Sequence, residues 1–299
     1  MKKLSIIIPA YNNPRELRLT LDSIANQTFP LANLEVIVAD DGSNVDMRSV
    51  GEEYTDRLTV RYFWQEDKGF CPGTARNMGI SVAEGELCVF LDSGVIVTNN
   101  CLPEYYRLYK QYGENLCIIG YVLGNDTSSD LEEMRQIIDA YSPDEAASIM
   151  YKRNMLDGRE KKYRALGENL SLWLAPYTVL WSLHFAVPTA FLKKTGVLFD
   201  EHFNAWGGED SDFGIQLFYH GAKYILARNA VAIHYPAQVR SYDKLQNDLV
   251  FREKWLENKR YLARKYAADE LVQLWLREGT RAANSHKLVV EKNSLKEKS

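Results

Sequence analysis

The sequence predicts an α/β protein with a mostly parallel, Rossmann-like sheet flanked by helices and a helical extension at the C-terminus. Between residues 4 and 91, short apolar runs alternate with segments of helical periodicity, the order expected when each parallel strand is followed by a crossover helix. The apolar runs stop at Pro9-Ala10-Tyr11, Asp40-Asp41-Gly42 and Asp92-Ser93-Gly94. In such sheets ligands collect beyond the carboxyl ends of the strands, so these three stops are expected on one rim. From Ser241 to Arg281 the pattern becomes helical throughout.

Leu4 to Pro9 reads as a short buried strand of the parallel-sheet kind. Asn13-Pro14-Arg15-Glu16 then supplies an N-cap, a proline at the first helical position and an acid at the third, as in a capping box. Leu17, Leu21 and Ile24 mark one face of the helix that follows. Leu34 to Ala39 is a second strand, and Leu58 to Trp64, rich in β-formers, a third. A helix is expected around Thr74 to Ala83, and a fourth strand over Glu86 to Leu91. The stretch from Asp126 to about Tyr177 is polar and helical in pattern. Its charge runs, Asp130-Leu131-Glu132-Glu133, Lys152-Arg153 and Arg159-Glu160-Lys161-Lys162, read as solvated helix faces, or alternatively as an acceptor-binding segment or a lid. Strand character returns near Trp181 to Val187. Leu245, Leu249 and Leu256 share helical spacing, and Trp255, Trp275 and Leu276 suggest packing on the body or on a second copy, a homodimer through the C-terminal helices. The tail, Ser285 to Ser299, carries one short apolar patch, Leu288-Val289-Val290, and is expected to be loosely ordered.

Bulk properties exclude some classes. A net charge of -4 gives no reason to expect nucleic acid or an anionic membrane as a partner. The four cysteines show no paired C-x-x-C spacing, which argues against a metal cluster or disulfide framework. The apolar run after Met1-Lys2-Lys3 stops at Pro9, too short for a signal core. No segment reaches the roughly 20 apolar residues of a bilayer span. The expected location is cytoplasmic.

The most informative stretch is Trp206-Gly207-Gly208-Glu209-Asp210. Glycines permit a sharp turn and close approach to a ligand, and paired acids can accept hydrogen bonds from hydroxyls and remove a proton. A tight turn before a helix, with the acids favouring its N-terminus, explains the same letters. Asp40 and Asp41 before Gly42 form an Asx-type turn or a contact to a nucleobase or ribose. Lys68 and Arg76 flank a Pro72-Gly73 turn into a helix, a natural place for phosphate, and can equally pair with surface acids. Asp92, ending an apolar run before Ser93, suits a divalent cation on a diphosphate, and His234 offers a second ligand.

Taken together, Ile6-Ile7-Ile8-Pro9-Ala10-Tyr11-Asn12, Asp40-Asp41-Gly42-Ser43, Gly69-Phe70 with Ala75-Arg76-Asn77, and Phe90-Leu91-Asp92-Ser93 resemble family 2 glycosyltransferases of the GT-A fold. The Trp206 to Asp210 motif resembles the acceptor-side motif of chondroitin-polymerase modules, β-1,4-galactosyltransferases and polypeptide GalNAc-transferases. The resemblance spans roughly residues 4 to 240. It implies a GT-A unit over 1–240, with a nucleotide-sugar-binding half at 1–100 and an acceptor-binding half at 101–240, followed by the extension and tail at 241–299.

It further implies inverting transfer of a hexosyl or N-acetylhexosaminyl group from a UDP-sugar to a hydroxyl of a carbohydrate, peptide or small molecule. Pro9, Ala10 and Tyr11 would wall the nucleotide site, Asp40 and Asp41 would contact uracil or ribose, and Lys68, Arg76, Asp92 and Ser93 would surround the donor. Asp210 would be the catalytic base and Glu209 an acceptor or sugar contact, with Trp206, Gly207 and Gly208 lining the acceptor side. Asp92 and His234 would hold Mn²⁺ or Mg²⁺. The family's Asp-x-Asp is broken, since Gly94 stands where its second acid would be. A relative that binds UDP-sugar without catalysis is the alternative, and a nucleotidyltransferase a more distant one.

Overall fold

The computed structural model describes residues 2–125, 129–236 and 241–285, with the backbone alone for 241–243. Its first strand, Leu4–Ala10 (β1), is buried at every position, which is why it reads as unbroken apolar sequence. Alternate side chains serve opposite layers. Ile6 and Ile8 join Leu17, Leu21 and Ile24 of the first helix, Pro14–Ala25 (α1), while Ile7 joins Ile80 on the other face. Asn13 precedes α1 as expected, but its side chain caps no helical N–H. Instead its Oδ1 accepts from the Tyr11 amide at 3.2 Å, fixing the strand-to-helix turn.

The order continues with Leu34–Asp40 (β2), Arg48–Glu52 (α2), Val60–Trp64 (β3), Pro72–Val82 (α3), Leu87–Leu91 (β4) and Val95–Val97 (β5). Helix α3 lies so close to the sheet that a Cβ on Gly79 would stand 2.5 Å from Ile7. Next come Cys101–Tyr112 (α4) and Leu116–Leu123 (β6), then Leu131–Ala140 (α5), Pro143–Lys152 (α6) and Glu160–Leu166 (α7). His184–Pro188 (β7), Thr189–Thr195 (α8), Glu209–Tyr219 (α9) and Lys223–His234 (β8) complete the body. Strands β5 and β6 and helix α4 were not anticipated. Strand β5 is three residues long, and β6 is a fully buried run without alternation.

The eight strands form one sheet in the order β3-β2-β1-β4-β7-β6-β8-β5. The N-terminal half is parallel. Beyond β4 the sheet is mixed, with β7 antiparallel to both β4 and β6 and β5 antiparallel to β8. Because β6 and β8 are parallel to each other, the carboxyl ends of β1, β2, β4, β6 and β8 and the start of β7 reach the same rim.

The expected boundary at 240 and the tail from 286 onward lie outside the described residues, as does the patch Leu288-Val289-Val290. Among the described residues the C-terminal segment is four helices: Ser241–Asn247 (α10), Leu249–Lys265 (α11), Glu270–Glu278 (α12) and Thr280–Ala283 (α13). Asp248 and Asp269 cap the second and third through their side chains, so each acid starts a new helix. This break corrects the single apolar stripe expected through Leu245, Leu249 and Leu256, since Leu249 is 69% exposed. Trp275 instead packs edge-on against the buried ring of Tyr177, joining α12 to the core. No helix among the described residues is long and apolar enough to cross a membrane.

Candidate active site

The rim opens into one cavity of about 810 Å³. Pro9, Ala10 and Tyr11 reach it from the end of β1, Asp41 from β2, and Asp92 and Ser93 from β4. Arg76 enters from the first turns of α3, His234 from the end of β8, and Trp206 to Asp210 from the turn before α9. Two residues assigned to the donor from sequence do not line it. Asp40 is fully buried and spends its carboxylate on the Ser43 amide and the Tyr62 hydroxyl, so it shapes the turn. Lys68 projects into solvent, 3.9 Å from Glu66.

At the end of the cavity beside β1 and β2, Asp41 accepts from Gln65 Nε2 at 2.6 Å and from the Cys71 amide at 2.7 Å. Burial raises its pKa against those two bonds. Tyr11 donates its hydroxyl to Asp67 at 2.9 Å, bracing the wall beside it.

In the centre, Arg76 is 2% exposed and holds Asp92 through Nη2 at 2.6 Å. Its Nε and Nη1, together with Ser93 Oγ, have no partner in the structure. Buried polar atoms are rarely left unpaired, and these lie on residues lining the cavity. Strand pairing sets Val95 against His234, which brings His234 beside the Asp92 turn. Burial lowers the His234 pKa and the Asp92 charge opposes this, so the neutral, metal-ligating form of the imidazole prevails. Gly94 sits at φ +94° and donates its amide to Thr20 Oγ1 at 2.9 Å. The place of the missing acid is thus a left-handed turn suited to glycine. Among the described residues no group of three or more His, Cys, Asp and Glu is arranged to hold a metal.

At the far end, Gly207 and Gly208 have φ of +89° and +110°. Two successive left-handed residues reverse the chain so that α9 starts at Glu209 with both acids in its first turn. Glu209 is 7% exposed, and its Oε2 has no partner. Burial first, and the Asp210 charge second, push its pKa up. Burial also raises Asp210, but the Ser211 amide at 2.7 Å and hydroxyl, the Ser182 backbone and Arg76 all oppose the rise. When one proton is shared between the two, it resides on Glu209, and Asp210 remains the anion.

Sequence reasoning missed several contributors. Trp181 and Asn125 line the cavity from the start of β7 and the end of β6. Asn125 Oδ1 accepts from the Gly158 amide at 2.6 Å, and its Nδ2 is unpartnered. Trp173 and Tyr177, near Trp181 in sequence, are buried in the core, whereas Trp181 faces the cavity. Trp255 of α11 also lines it. The tryptophans were visible in the sequence, but nothing in their spacing revealed which would reach the rim.

Several known proteins are similar to this chain. The validoxylamine A glucosyltransferase of Streptomyces hygroscopicus subsp. jinggangensis is 32% identical over 234 residues, 78% of this chain and 55% of that protein. The hyaluronan synthase of Pasteurella multocida is 31% identical over 241 residues, 77% of this chain and 24% of that protein. The chain thus spans about half the length of the former and a quarter of the latter. Among solved structures, Staphylococcus aureus TarS 1-349 in complex with UDP-GlcNAc superposes with a TM-score of 0.62 at 18% identity, covering 93% of this chain and 72% of that one. Mannosyltransferase PcManGT from Pyrobaculum calidifontis, in complex with GDP-Man and Mn²⁺, gives 0.61 at 16%, covering 95% and 72%. These two establish the GT-A fold. The sequence model of Glycosyl transferase family 2 matches residues 5–175, more than half of the 299, and the chain belongs to that family.

Proposed function

We propose that the protein is an inverting glycosyltransferase that moves a hexosyl or N-acetylhexosaminyl group from a UDP-sugar to a hydroxyl acceptor. One observation carries the reading: the Asp41, Arg76 and Asp92 end and the Glu209-Asp210 end open on the same cavity, so donor and acceptor can meet there. Relatives named as a glucosyltransferase and a hyaluronan synthase favour glucose-type donors.

In this reading Asp41 contacts the uridine beside the Pro9 to Tyr11 wall, and Arg76 faces the diphosphate with its two unpartnered nitrogens. Asp210 takes the proton of the acceptor hydroxyl as it attacks the anomeric carbon opposite the leaving UDP. Glu209, carrying its own proton, hydrogen-bonds a sugar or acceptor oxygen and adds no second negative charge.

The charge balance suits a divalent cation, Mn²⁺ or Mg²⁺, arriving with the donor. With Glu209 keeping its proton, Asp41, Asp92 and Asp210 are the acids that line the cavity, and among the described residues there Arg76 is the one Lys or Arg. Asp92 and neutral His234 would hold the cation, with diphosphate oxygens and water completing its shell. Bound there, it would supply positive charge to the leaving diphosphate. The arrangement holds few protein ligands because Gly94 contributes none.

The test is UDP release from a panel of UDP-sugars, with aryl glycosides, cyclitols and water as acceptors, with and without Mn²⁺. Release of UDP with an inverted glycosidic product supports the reading. UDP binding without turnover across the panel overturns it in favour of a binding-only relative.

A further inference from the structure

Helix α11 lies beyond the 5–175 segment that carries the family signature, yet it touches the acceptor turn at three successive places. Asn258, 6% exposed, donates through Nδ2 to the carbonyls of Ala205 at 3.0 Å and Gly207 at 2.7 Å. Both amide hydrogens are thereby committed to the turn whose left-handed residues start α9. One turn earlier, Trp255 packs on Gly207 so closely that a Cβ there would stand 3.0 Å from its ring. Another turn earlier, Phe251 stacks on Trp206 with ring centroids 5.5 Å apart.

The far end of α11 holds α9 itself. Tyr266, which follows the helix, donates to buried Asp212 at 2.8 Å, and Lys265 bridges Asp212 at 2.8 Å and Asp200 at 2.6 Å. Asp212 is in the same first helical turn as Glu209 and Asp210. The helix therefore grips the catalytic turn from both sides, while the residues around Asp41 and Asp92 take no part in this grip.

We propose that α11 is the acceptor-side wall of the site: Asn258 is a positioning residue that fixes the turn bearing Asp210, and Trp255 contacts the acceptor. This rests on the glycosyltransferase reading above. The acceptor it fits is a cyclic polyol, a sugar or cyclitol ring, whose apolar C–H face packs on an indole while its hydroxyls meet carboxylates and amides. Trp255 shares the cavity with Trp181 and Trp206, and with unpartnered polar atoms of Asn125 and Glu209. Lys259, 4.6 Å from the Trp255 centroid, steadies that ring.

The experiment uses the whole chain, the acceptor of highest turnover from the panel, and UDP affinity by calorimetry. Trp255→Ala should raise the acceptor KM by about tenfold or more, as for a central tryptophan of an interface, and Trp255→Phe should recover most of it. Asn258→Asp keeps the shape but removes both donors, and should lower kcat by about 10²-fold through misplacement of Asp210. Asn258→Ser, which keeps a donor and relieves the carbonyl contact, should fall between. UDP affinity should stay within about twofold in all four, separating acceptor-side positioning from general damage.

Unchanged acceptor kinetics in the Trp255 and Asn258 variants would overturn the α11 assignment alone. A parallel loss of UDP affinity would overturn it too, since the helix would then be scaffolding for the whole site. A wild-type chain without turnover on any member of the panel overturns the glycosyltransferase reading and this one with it.

Discussion

Glu209 and Asp210 are neighbours in sequence with opposite surroundings. Asp210 receives amide and hydroxyl hydrogen bonds, whereas Glu209 is enclosed with an unpartnered oxygen. A carboxyl whose pKa rises on folding binds its proton more tightly in the native state, so stability is lost as pH climbs from the ordinary glutamate range towards about 8. Glu209→Gln does not titrate. Urea unfolding at a series of pH values should therefore show the variant gaining on wild type between about pH 5 and about pH 8, with the difference constant below that range. A pH-independent difference would mean that Glu209 ionises as it does in water. The sequence displayed these two acids and the glycines before them, but not which acid keeps the proton. That depends on enclosure by parts of the chain far from the motif.

The turn before α9 shows what an element demands of its sequence. Gly208 has φ +110°, and a Cβ there would meet the Phe203 ring at 2.7 Å. Gly208→Ala should cost about 1–3 kcal/mol in thermal or denaturant unfolding through backbone strain alone. A neutral effect would show that the turn relaxes without its left-handed residues. A second element-level anchor is the ion pair of Asp157 with Arg159, both wholly buried, where Arg159 also donates to Gly120 and Val179 carbonyls. Asp157→Ala should cost about 3–5 kcal/mol because it strands a buried cation. The run Arg159-Glu160-Lys161-Lys162 was expected as a solvated face or lid, and Arg159 departs from the former by burying completely. Charge runs in sequence do not reveal which member turns inward to tie strand β6 to the helical turn at Pro176–Val179.

Across the whole molecule, legibility followed the sheet. Strands β1, β2 and β4 were readable because burial on both faces makes them mostly apolar, and their stops mark the rim. The C-terminal half was readable only at its motif. Strand β7 runs antiparallel between β4 and β6, and α11 returns to the acceptor turn from more than forty residues away in sequence. Such long-range pairings leave no periodicity to read. The same topology places Asp92 and His234 side by side from distant strands, and this predicts a linkage. Mn²⁺ alone and UDP alone should raise the melting temperature little, and the two together should raise it by more than their sum. His234→Ala should remove that excess. A full shift with UDP in the presence of a chelator would show that the diphosphate is held without a cation.

The central claim is that Asp210 is the base of a site whose donor half is complete without it. Steady-state transfer and UDP calorimetry on Asp210→Asn test both clauses at once. A loss of about 10²–10⁴-fold in kcat, the usual contribution of a positioned base, is expected, with UDP affinity unchanged. Wild-type turnover in that variant, or a loss of UDP affinity that matches the loss of rate, would contradict it.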